Sequence, residues 1–358
     1  MSAIRFFFQL SLIALITLAG LELALRVYAS FPREADRFIH DENIGFRQRS
    51  DVPVRNDQTT NRGGFNDREH AAEPIEGATR LAIIGDSFVF GAVARDYNFT
   101  FVLEDLAQQN GVDLDVINMG ISAAGPKNYL GLLAHDVAES QADLVAVTLF
   151  VGNDITQAHP HFKTSVWLNR TRETLVKPYL IGPSWEYSYV YRSVRSVART
   201  LRERLDKTPR ASFTRKNFMA IERQRSPIYK KDMSTFVSDS YAGVIQLTRE
   251  MSKEAERQDR ELIVILAPDE LQVSSEIQDH LAKHYLLDLS EYDLEQPQSL
   301  LIEALTSQGI RVIDLLPHFQ QAKDSGDLYI QYDTHWNEAG NRLAAEAIWQ
   351  FLKDESLF

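Results

Sequence analysis

Short apolar runs recur along the chain after residue 80, and most of them stop at glycine or at polar residues. Runs of this length, apolar on both faces, are typical of buried strands in a parallel sheet. The runs are Leu81–Ile84, Asp115–Met119, Leu144–Val151, Leu262–Leu266 and Arg311–Leu315. Stretches with apolar residues at helical spacing alternate with them, namely Asn98–Gln109, Pro126–Ser140, Ser234–Arg260, Gln298–Ser307 and Asn337–Leu352. The alternation predicts an α/β fold, a three-layer structure with five parallel strands joined by right-handed crossovers.

The N-terminal segment, residues 1–30, has a different pattern. Arg5 is followed by the uncharged run Phe6–Leu21, and apolar residues resume after Glu22. Counted across Glu22, the run reaches the roughly 20 residues that a helix needs to cross a bilayer. We interpret the segment as an uncleaved membrane anchor. A cleaved signal peptide, with Val27–Ala29 as the cleavage site, and a buried helix of a soluble protein are the alternatives.

Composition narrows the class of protein and its location. The net charge of −12 argues against a nucleic-acid partner, because phosphate binding needs a basic surface. The absence of cysteine excludes disulfides, thiolate zinc sites and cysteine nucleophiles, and it suits a bacterial envelope protein. We therefore expect a single N-terminal span in the bacterial inner membrane, with the remaining chain in the periplasm or outside. Secretion after signal cleavage is the alternative.

Two stretches interrupt the alternation and divide the chain. Residues 31–78 are polar and lack a helical period, and we interpret them as an irregular segment lying over the domain formed by 79–358, or as a plain linker. Residues 155–231 are interpreted as a helical insertion after the third strand. Its helix Trp185–Leu205 has an apolar stripe and several arginines off that stripe. A lid, a membrane-surface helix, a polyanion contact and an ordinary surface helix all fit this pattern.

Polar residues follow three of the predicted strands, at one edge of the predicted sheet. Asp86-Ser87 ends the first strand, Asn118–Gly120 the second and Gly152–Asp154 the third. Ligands bind open α/β sheets at the carboxyl ends of the strands. Ser87 at this position is either a capping hydroxyl or a nucleophile.

Asp333 and His335, just before the last helix, complete a set suited to acyl transfer. Side chains two residues apart on extended backbone leave the same face, so the pair can cooperate. An imidazole takes the proton of a serine near neutral pH, and a carboxylate on its other nitrogen orients the ring. The N–H groups of Ser87 and Gly120 and the side-chain amide of Asn153 are candidate donors to a substrate oxyanion.

This set resembles the SGNH hydrolase superfamily, also called GDSL esterases. Four ordered blocks carry the resemblance: Gly85–Phe88 with Gly91, Gly120, Gly152–Asp154 and Asp333–His335. The segment Asn61–Phe65 is similar to one that often precedes the nucleophile in bacterial members. The resemblance implies a flavodoxin-like sheet and no cofactor. It implies these roles: nucleophile Ser87, base His335, orienting acid Asp333, and oxyanion-hole donors Ser87, Gly120 and Asn153.

The C-terminal block departs from the common pattern of these esterases. Only Thr334 separates the acid from the histidine, where many members have two residues. The short Asp-Thr-His-Trp form resembles bacterial polysaccharide O-acetyltransferases, such as those acting on alginate. In those relatives the Asp-His pair precedes the serine, whereas here it follows. The order favours the hydrolase arrangement and leaves the role of Asp333 less firmly implied than that of His335.

We therefore expect a serine esterase acting on small acyl esters, with O-acetyl groups on an envelope glycan as the candidate substrate. Transfer of an acetyl group to a sugar hydroxyl and an inactive scaffold or glycan-binding subunit are the alternatives. The sequence indicates neither the acyl length nor the oligomeric state.

Several other residues could be functional, but they do not change the expectation of a serine esterase. Trp336 either lines the site or is a core residue that opens the last helix. Asp86 and Asp154 are interpreted as structural. The histidine pairs 159/161 and 280/284 do not match a metal-site pattern, and no glycine-rich phosphate loop appears, so neither a metal nor a nucleotide is predicted.

Overall fold

The computed structural model describes residues 2–30, 37–54, 58–162, 188–191, 193–194, 197, 213–323 and 326–358. The chain divides into two units, one comprising Met1–Asp36 with Trp167–Arg210 and the other Arg37–Val166 with Ala211–Phe358. The strands of the second unit are β1 (Phe38–Asp41), β2 (Gly45–Gln48), β3 (Thr79–Gly85), β4 (Leu114–Gly120), β5 (Leu144–Phe150), β6 (Glu261–Ala267) and β7 (Arg311–Asp314).

Helices follow nearly every strand. The first part of the chain contains α1 (Ser2–Ser30), α2 (Ser87–Phe90), α3 (Phe99–Gln109), α4 (Pro126–Leu132), α5 (Ala138–Ser140) and α6 (Asp154–Gln157). The later part contains α7 (Arg215–Arg225), α8 (Thr235–Arg257), α9 (Glu270–Val273), α10 (Ser275–Tyr285), α11 (Gln296–Thr306), α12 (Leu316–Ala322) and α13 (Glu338–Asp354). Short 3-10 turns occupy Arg95–Tyr97, Ser226–Tyr229 and Leu289–Glu291.

The central sheet confirms the predicted parallel, five-stranded architecture. Its strand order is β4-β3-β5-β6-β7, and every neighbouring pair is parallel. The register pairs Gly85 with Gly120, so the segments after β3 and β4 leave the sheet side by side. The direction of strand addition reverses between β3 and β5, and crevices at such switch points are where open α/β sheets bind ligands.

Alternate residues of the strands point to opposite faces of the sheet, and each face is covered by helices. Leu81, Ile83, Ile263 and Ile265 belong to the same buried cluster as the apolar residues of α3 and α13. Elsewhere α4 and α8 pack on each other, and α8 also packs on β6. The predicted helices are confirmed, except that the stretch predicted as Pro126–Ser140 is interrupted by a π-helical turn between α4 and α5.

The segment predicted to be irregular, residues 31–78, contains a two-stranded antiparallel hairpin formed by β1 and β2. Asp41 stabilises its turn by accepting the N–H groups of Asn43 and Ile44, each at 2.9 Å. Gly45 adopts φ 97°, a conformation that residues with a side chain rarely adopt. The strands are only four residues long, which explains why no periodicity marked them.

The C-terminal part of the predicted insertion, residues 155–231, belongs to the core of the second unit. Helix α7 buries Phe218, Met219 and Glu222, and the following 3-10 turn buries Tyr229. Most of the predicted helix Trp185–Leu205 lies outside the described residues.

The N-terminal helix α1 lies in the first unit. Its stretch Arg5–Tyr28 is long and apolar enough to cross a membrane. Large apolar side chains along this stretch, from Phe6 to Leu23, are mostly exposed rather than packed in a core. The alternative of a buried helix of a soluble protein is therefore not supported, and an anchor or a signal segment remains.

Candidate active site

The candidate nucleophile lies where β3 gives way to α2. Asp86 caps this short helix, accepting the Phe88 N–H at Oδ1 over 2.8 Å. Ser87 is consequently the first helical residue, where a backbone N–H has no partner inside the helix. Gly91, at φ 91°, ends the turn, and an added Cβ would lie 2.3 Å from the Asn98 side chain. The local sequence thus holds Ser87 at the carboxyl edge of the sheet.

The structure brings Ser87, His335 and Asp333 into one hydrogen-bonded chain. The Ser87 hydroxyl lies 2.8 Å from His335 Nε2, and His335 Nδ1 lies 2.5 Å from Asp333 Oδ1. With the ring proton on Nδ1, the imidazole donates to the carboxylate and accepts from the hydroxyl. Asp333 is buried, while the ring of His335 is 22% exposed and accessible from the cavity. This is the geometry in which an imidazole can activate a serine.

Aromatic residues support the histidine from the core side. The Phe88 ring lies 5.2 Å from the His335 ring and stacks on Phe150 at 4.2 Å. Trp336 contacts Phe88 edge to face at 4.9 Å and is only 1% exposed. Of the two interpretations of Trp336, the structure supports a core residue beneath the site.

The predicted oxyanion donors differ in what they contact. Asn153 donates one amide hydrogen to Asp86 Oδ2 at 3.0 Å, which leaves its second amide hydrogen for a substrate. The Gly120 N–H donates to Asn118 Oδ1 at 3.0 Å, so it is already engaged in this structure. An added Cβ at Gly120 would lie 2.1 Å from the Phe90 backbone nitrogen. Close packing against α2 is therefore reason enough for glycine at this position.

The turn after β4 offers donors that sequence reasoning missed. Within the described part of the chain, the N–H groups of Ser122 and Ala123 make no hydrogen bond. Ala123 adopts φ 67°, and such non-glycine outliers cluster at functional sites. Nothing in an Ile-Ser-Ala-Ala sequence signals this conformation.

A cavity of about 430 Å³ opens over the candidate nucleophile, and its lining includes Ser87, Asp333 and His335. Arg37 lies on its wall, where the guanidinium is 5.0 Å from the centre of the Phe90 ring and donates to Ser122 Oγ at 3.3 Å. Among the described residues, no carboxylate lies within ion-pair distance of Arg37. Arg37 joins the site from before β1, which is why spacing in the sequence did not reveal it.

Two buried carboxylates brace the strand ends, as predicted. Burial raises the pKa of Asp86, although the bonds from Phe88 and Asn153 oppose this shift. Burial and the nearby charge of Asp86 raise the pKa of Asp154 well above its usual range. Asp154 also accepts the Tyr129 hydroxyl at 3.0 Å, so both acids are enclosed by structural contacts.

A second buried charge cluster, formed by Arg225, Glu222 and Asp269, lies behind the site. Arg225 contacts Glu222 at 3.0 Å and Asp269 at 3.5 Å, and its guanidinium lies 5.1 Å from the centre of the Phe150 ring. Burial and the charge of Asp269 raise the pKa of Glu222 well above its usual range. The cluster fixes α7 to the ends of β5 and β6. Sequence reasoning placed Glu222 and Arg225 on an insertion and missed their burial beside Asp269.

A histidine clasp, formed by His70, Asp67 and Asp115, holds the segment before β3 against β4. His70 Nδ1 lies 2.9 Å from Asp115 and Nε2 lies 3.0 Å from Asp67. Burial alone would lower the pKa of His70, but the bonds to Asp115 and Asp67 outweigh it and raise the pKa to about 9. The bond from His70 lowers the pKa of Asp115 to about 2. Asp67 also accepts the Asn118 N–H, at 2.7 Å.

The remaining histidine pairs lie apart from the triad. His159 stacks on Phe236 at 4.3 Å, and the rings of His280 and His284 lie 4.3 Å apart on α10. Within the described ranges, no group of three or more potential ligands could hold a metal ion.

Sequence comparison bears on the C-terminal part of this unit. Residues 232–358 match a family model described as an SGNH hydrolase-like domain, acetyltransferase AlgX. Over these residues the chain is similar to that family of domains. The matched residues include Asp333 and His335, whereas Ser87 and Asn153 precede them. No curated protein is significantly similar to the chain in sequence.

The solved structures that are similar to this chain are distant from it in sequence. An acetyl xylan esterase, AlAXEase, has a TM-score of 0.44 and 12% identity, covering 76% of this chain and 99% of its own. The acetylxylan esterase Axe2 from Geobacillus stearothermophilus has a TM-score of 0.42 and 13% identity, covering 78% and 96%. TesA has a TM-score of 0.42 and 12% identity, covering 77% and 99%.

Proposed function

We propose that the chain is a serine esterase that hydrolyses small acyl esters, acetyl esters foremost, with Ser87 as nucleophile, His335 as base and Asp333 as the orienting acid. The continuous hydrogen-bonded chain from Ser87 through His335 to Asp333 is the observation that carries this proposal. The match of the C-terminal region to a domain named for an acetyltransferase supports acetyl groups as the acyl part.

The first half of the reaction forms an acyl-enzyme. Ser87 Oγ attacks the ester carbonyl carbon while its proton moves to His335 Nε2, and Asp333 stabilises the imidazolium that results. The tetrahedral intermediate then breaks its bond to the alcohol oxygen, which takes the proton from His335. Ser87 is left esterified and the alcohol leaves.

The second half returns the enzyme to its starting state. A water molecule gives a proton to His335 Nε2 and attacks the acyl carbon, and the new intermediate releases the acid as Ser87 recovers its proton. Negative charge on the substrate oxygen develops in both halves. The second amide hydrogen of Asn153 and the N–H of Ser87, which makes no hydrogen bond to the described residues, are the donors we assign to that charge. Gly120 serves only if its bond to Asn118 is shared or broken.

The test uses the full-length chain and a fluorophosphonate probe. We expect wild-type protein to be labelled at Ser87 and to hydrolyse p-nitrophenyl acetate, and Ser87→Ala to lose both while keeping the circular dichroism and melting temperature of the wild type. Labelling elsewhere, or unchanged turnover in the variant, would remove Ser87 from the mechanism. A wild-type chain that is folded yet neither labelled nor active would instead support the inactive scaffold.

Acetyl transfer to a sugar hydroxyl is the second candidate, and the family match to an acetyltransferase domain favours it. The same acyl-enzyme serves both reactions, because a sugar hydroxyl can replace water in the second half. Mass spectrometry of oligosaccharides incubated with enzyme and an acetyl donor separates the two. Acetylated oligosaccharide indicates a transferase, and free acetate alone indicates an esterase.

A further inference from the structure

The N-terminal helix makes contacts that a removable leader would not need. After Arg5 at its start, the charged residues of the stretch Arg5–Tyr28 are Glu22 and Arg26, and they form an ion pair at 2.7 Å. Arg26 is 7% exposed, while apolar side chains around it are largely exposed. A charge inside an apolar run disfavours membrane insertion, most at the centre of a span and less near its end. The pair therefore calls for a structural explanation.

Glu22 is the acceptor for the start of a second helix. Its carboxylate accepts the N–H groups of Tyr189 at 2.9 Å and Val190 at 3.0 Å, and the Ser188 hydroxyl at 2.9 Å. Residues 189–191, 193–194 and 197 are helical. First-turn N–H groups lack partners within their own helix, so Glu22 acts as a cap supplied from elsewhere in the chain. Arg26 adds a contact, its guanidinium lying 5.4 Å from the centre of the Tyr189 ring.

We propose that α1 is retained in the mature protein as its membrane anchor and that Glu22 fixes the helix beginning at Tyr189 at the bilayer surface. Cleavage at Val27–Ala29 would remove Glu22 and Arg26 and leave the N–H groups of Tyr189 and Val190 without this acceptor. The proposal is independent of the esterase activity.

The exposed apolar side chains of the second helix identify the bilayer as its partner. Val194 and Val197 are 64% and 61% exposed, and their spacing of three residues places them on one helix face. The helix begins beside Glu22, at the end of the uncharged run Phe6–Leu21 and hence at the level of the lipid headgroups. An apolar helix face at that level is the arrangement of an interfacial helix.

Intact-mass spectrometry of the full chain from bacterial membranes tests retention. We expect a mass that includes residues 2–29. A chain that begins after Ala29 would overturn the proposal.

The contact itself can be tested by cysteine cross-linking, because the chain has no native cysteine. The pair Arg26→Cys with Tyr189→Cys should cross-link through a short bismaleimide in membranes. The pair Leu15→Cys with Tyr189→Cys, displaced by about three helical turns, should not. Adding Glu22→Leu to the first pair should reduce its cross-linking several-fold. Equal cross-linking of both pairs, or no effect of Glu22→Leu, would contradict the assigned cap.

The surface position is tested with a fluorophore on Val197→Cys in phosphatidylcholine–phosphatidylglycerol vesicles. Lipids brominated near the headgroup should quench it more than lipids brominated deep in the acyl chain. The same fluorophore on Leu15→Cys should show the opposite order. Absence of quenching at Val197→Cys by either lipid would show that this face does not touch the bilayer.

Discussion

His335 and His70 both bind aspartate, yet their surroundings give them different chemistry. His335 has one carboxylate on Nδ1 and the Ser87 hydroxyl on Nε2, so a neutral ring can accept a proton from the serine. His70 has a carboxylate on each nitrogen, and its pKa rises to about 9. A ring that keeps both protons at neutral pH is a cation and has no lone pair for base catalysis. The partner of Nε2 therefore distinguishes the two rings: it is a hydroxyl in the candidate base His335 and a carboxylate in the structural clasp of His70.

The largest expected effect comes from removing each ring in turn. His335→Gln should lower kcat for p-nitrophenyl acetate by about 10³-fold or more, since the serine loses its base. His70→Gln, the matched control, should retain kcat within a few-fold when assayed well below its melting temperature. Steady-state kinetics at pH 7.5 measure both. Similar losses of kcat in the two variants would contradict the assignment of His335 as the base and His70 as a structural residue.

Asp333→Asn should have the next largest effect, lowering kcat by about 10²–10⁴-fold. The amide keeps the shape of the side chain but no longer stabilises the imidazolium, and it favours the wrong tautomer of His335. Asp67→Asn, which changes a carboxylate of the clasp in the same way, is the control for kcat. A loss below about 10-fold in Asp333→Asn would mean that another group orients His335.

We expect the histidine clasp to affect the free energy of unfolding and to leave kcat nearly unchanged. Because folding raises the pKa of His70 from 6.5 to about 9, its stabilising effect is complete below about pH 6.5 and is lost as the pH rises through 9. The shift corresponds to roughly 3 kcal/mol of the free energy of unfolding between pH 6 and pH 9.5. Urea unfolding at pH 6 and pH 9.5 should show wild type losing this amount relative to His70→Gln. Parallel pH dependence in both chains would contradict the charged clasp.

The smallest expected effect is a change in the pKa of His70 when it keeps only one carboxylate partner, as His335 does. Asp67→Asn leaves His70 with one carboxylate, that of Asp115, so the pKa of His70 should fall from about 9. Titration of the ring by nuclear magnetic resonance measures the change. An unchanged pKa would mean that Asp115 alone sets the charge of the ring.

The sheet and the serine turn were predictable because their signals are local. The runs around Leu81–Ile84 and Leu144–Val151 are apolar on both faces and stop at glycine, which few elements other than buried parallel strands do. Asp333 and His335 were recognised by their spacing before a helix. The structure then placed their side chains beside Ser87, although the roles assigned to them remain predictions.

The other features of the site depend on contacts between segments that are distant in the chain. A single sequence does not show which distant residues are in contact. Arg37 enters the cavity from outside the sheet, and Arg225 looks like a solvated helix residue until its burial beside Asp269 is seen. The engaged N–H of Gly120 and the left-handed backbone of Ala123 are set by packing against α2 and by the turn after β4. Periodicity reports which face of an element is buried, and it carries no information about these partners.

The residues that meet at the candidate site are made at different times during translation. Ser87 and His335 are 248 residues apart, and α13 meets α3 where Asn341 accepts the Phe99 N–H at 3.1 Å. A ribosome therefore synthesises Ser87 long before His335. A nascent chain that ends before His335 lacks the partner of the Ser87 hydroxyl, so the hydrogen-bonded chain from Ser87 to Asp333 can form only when translation is nearly complete.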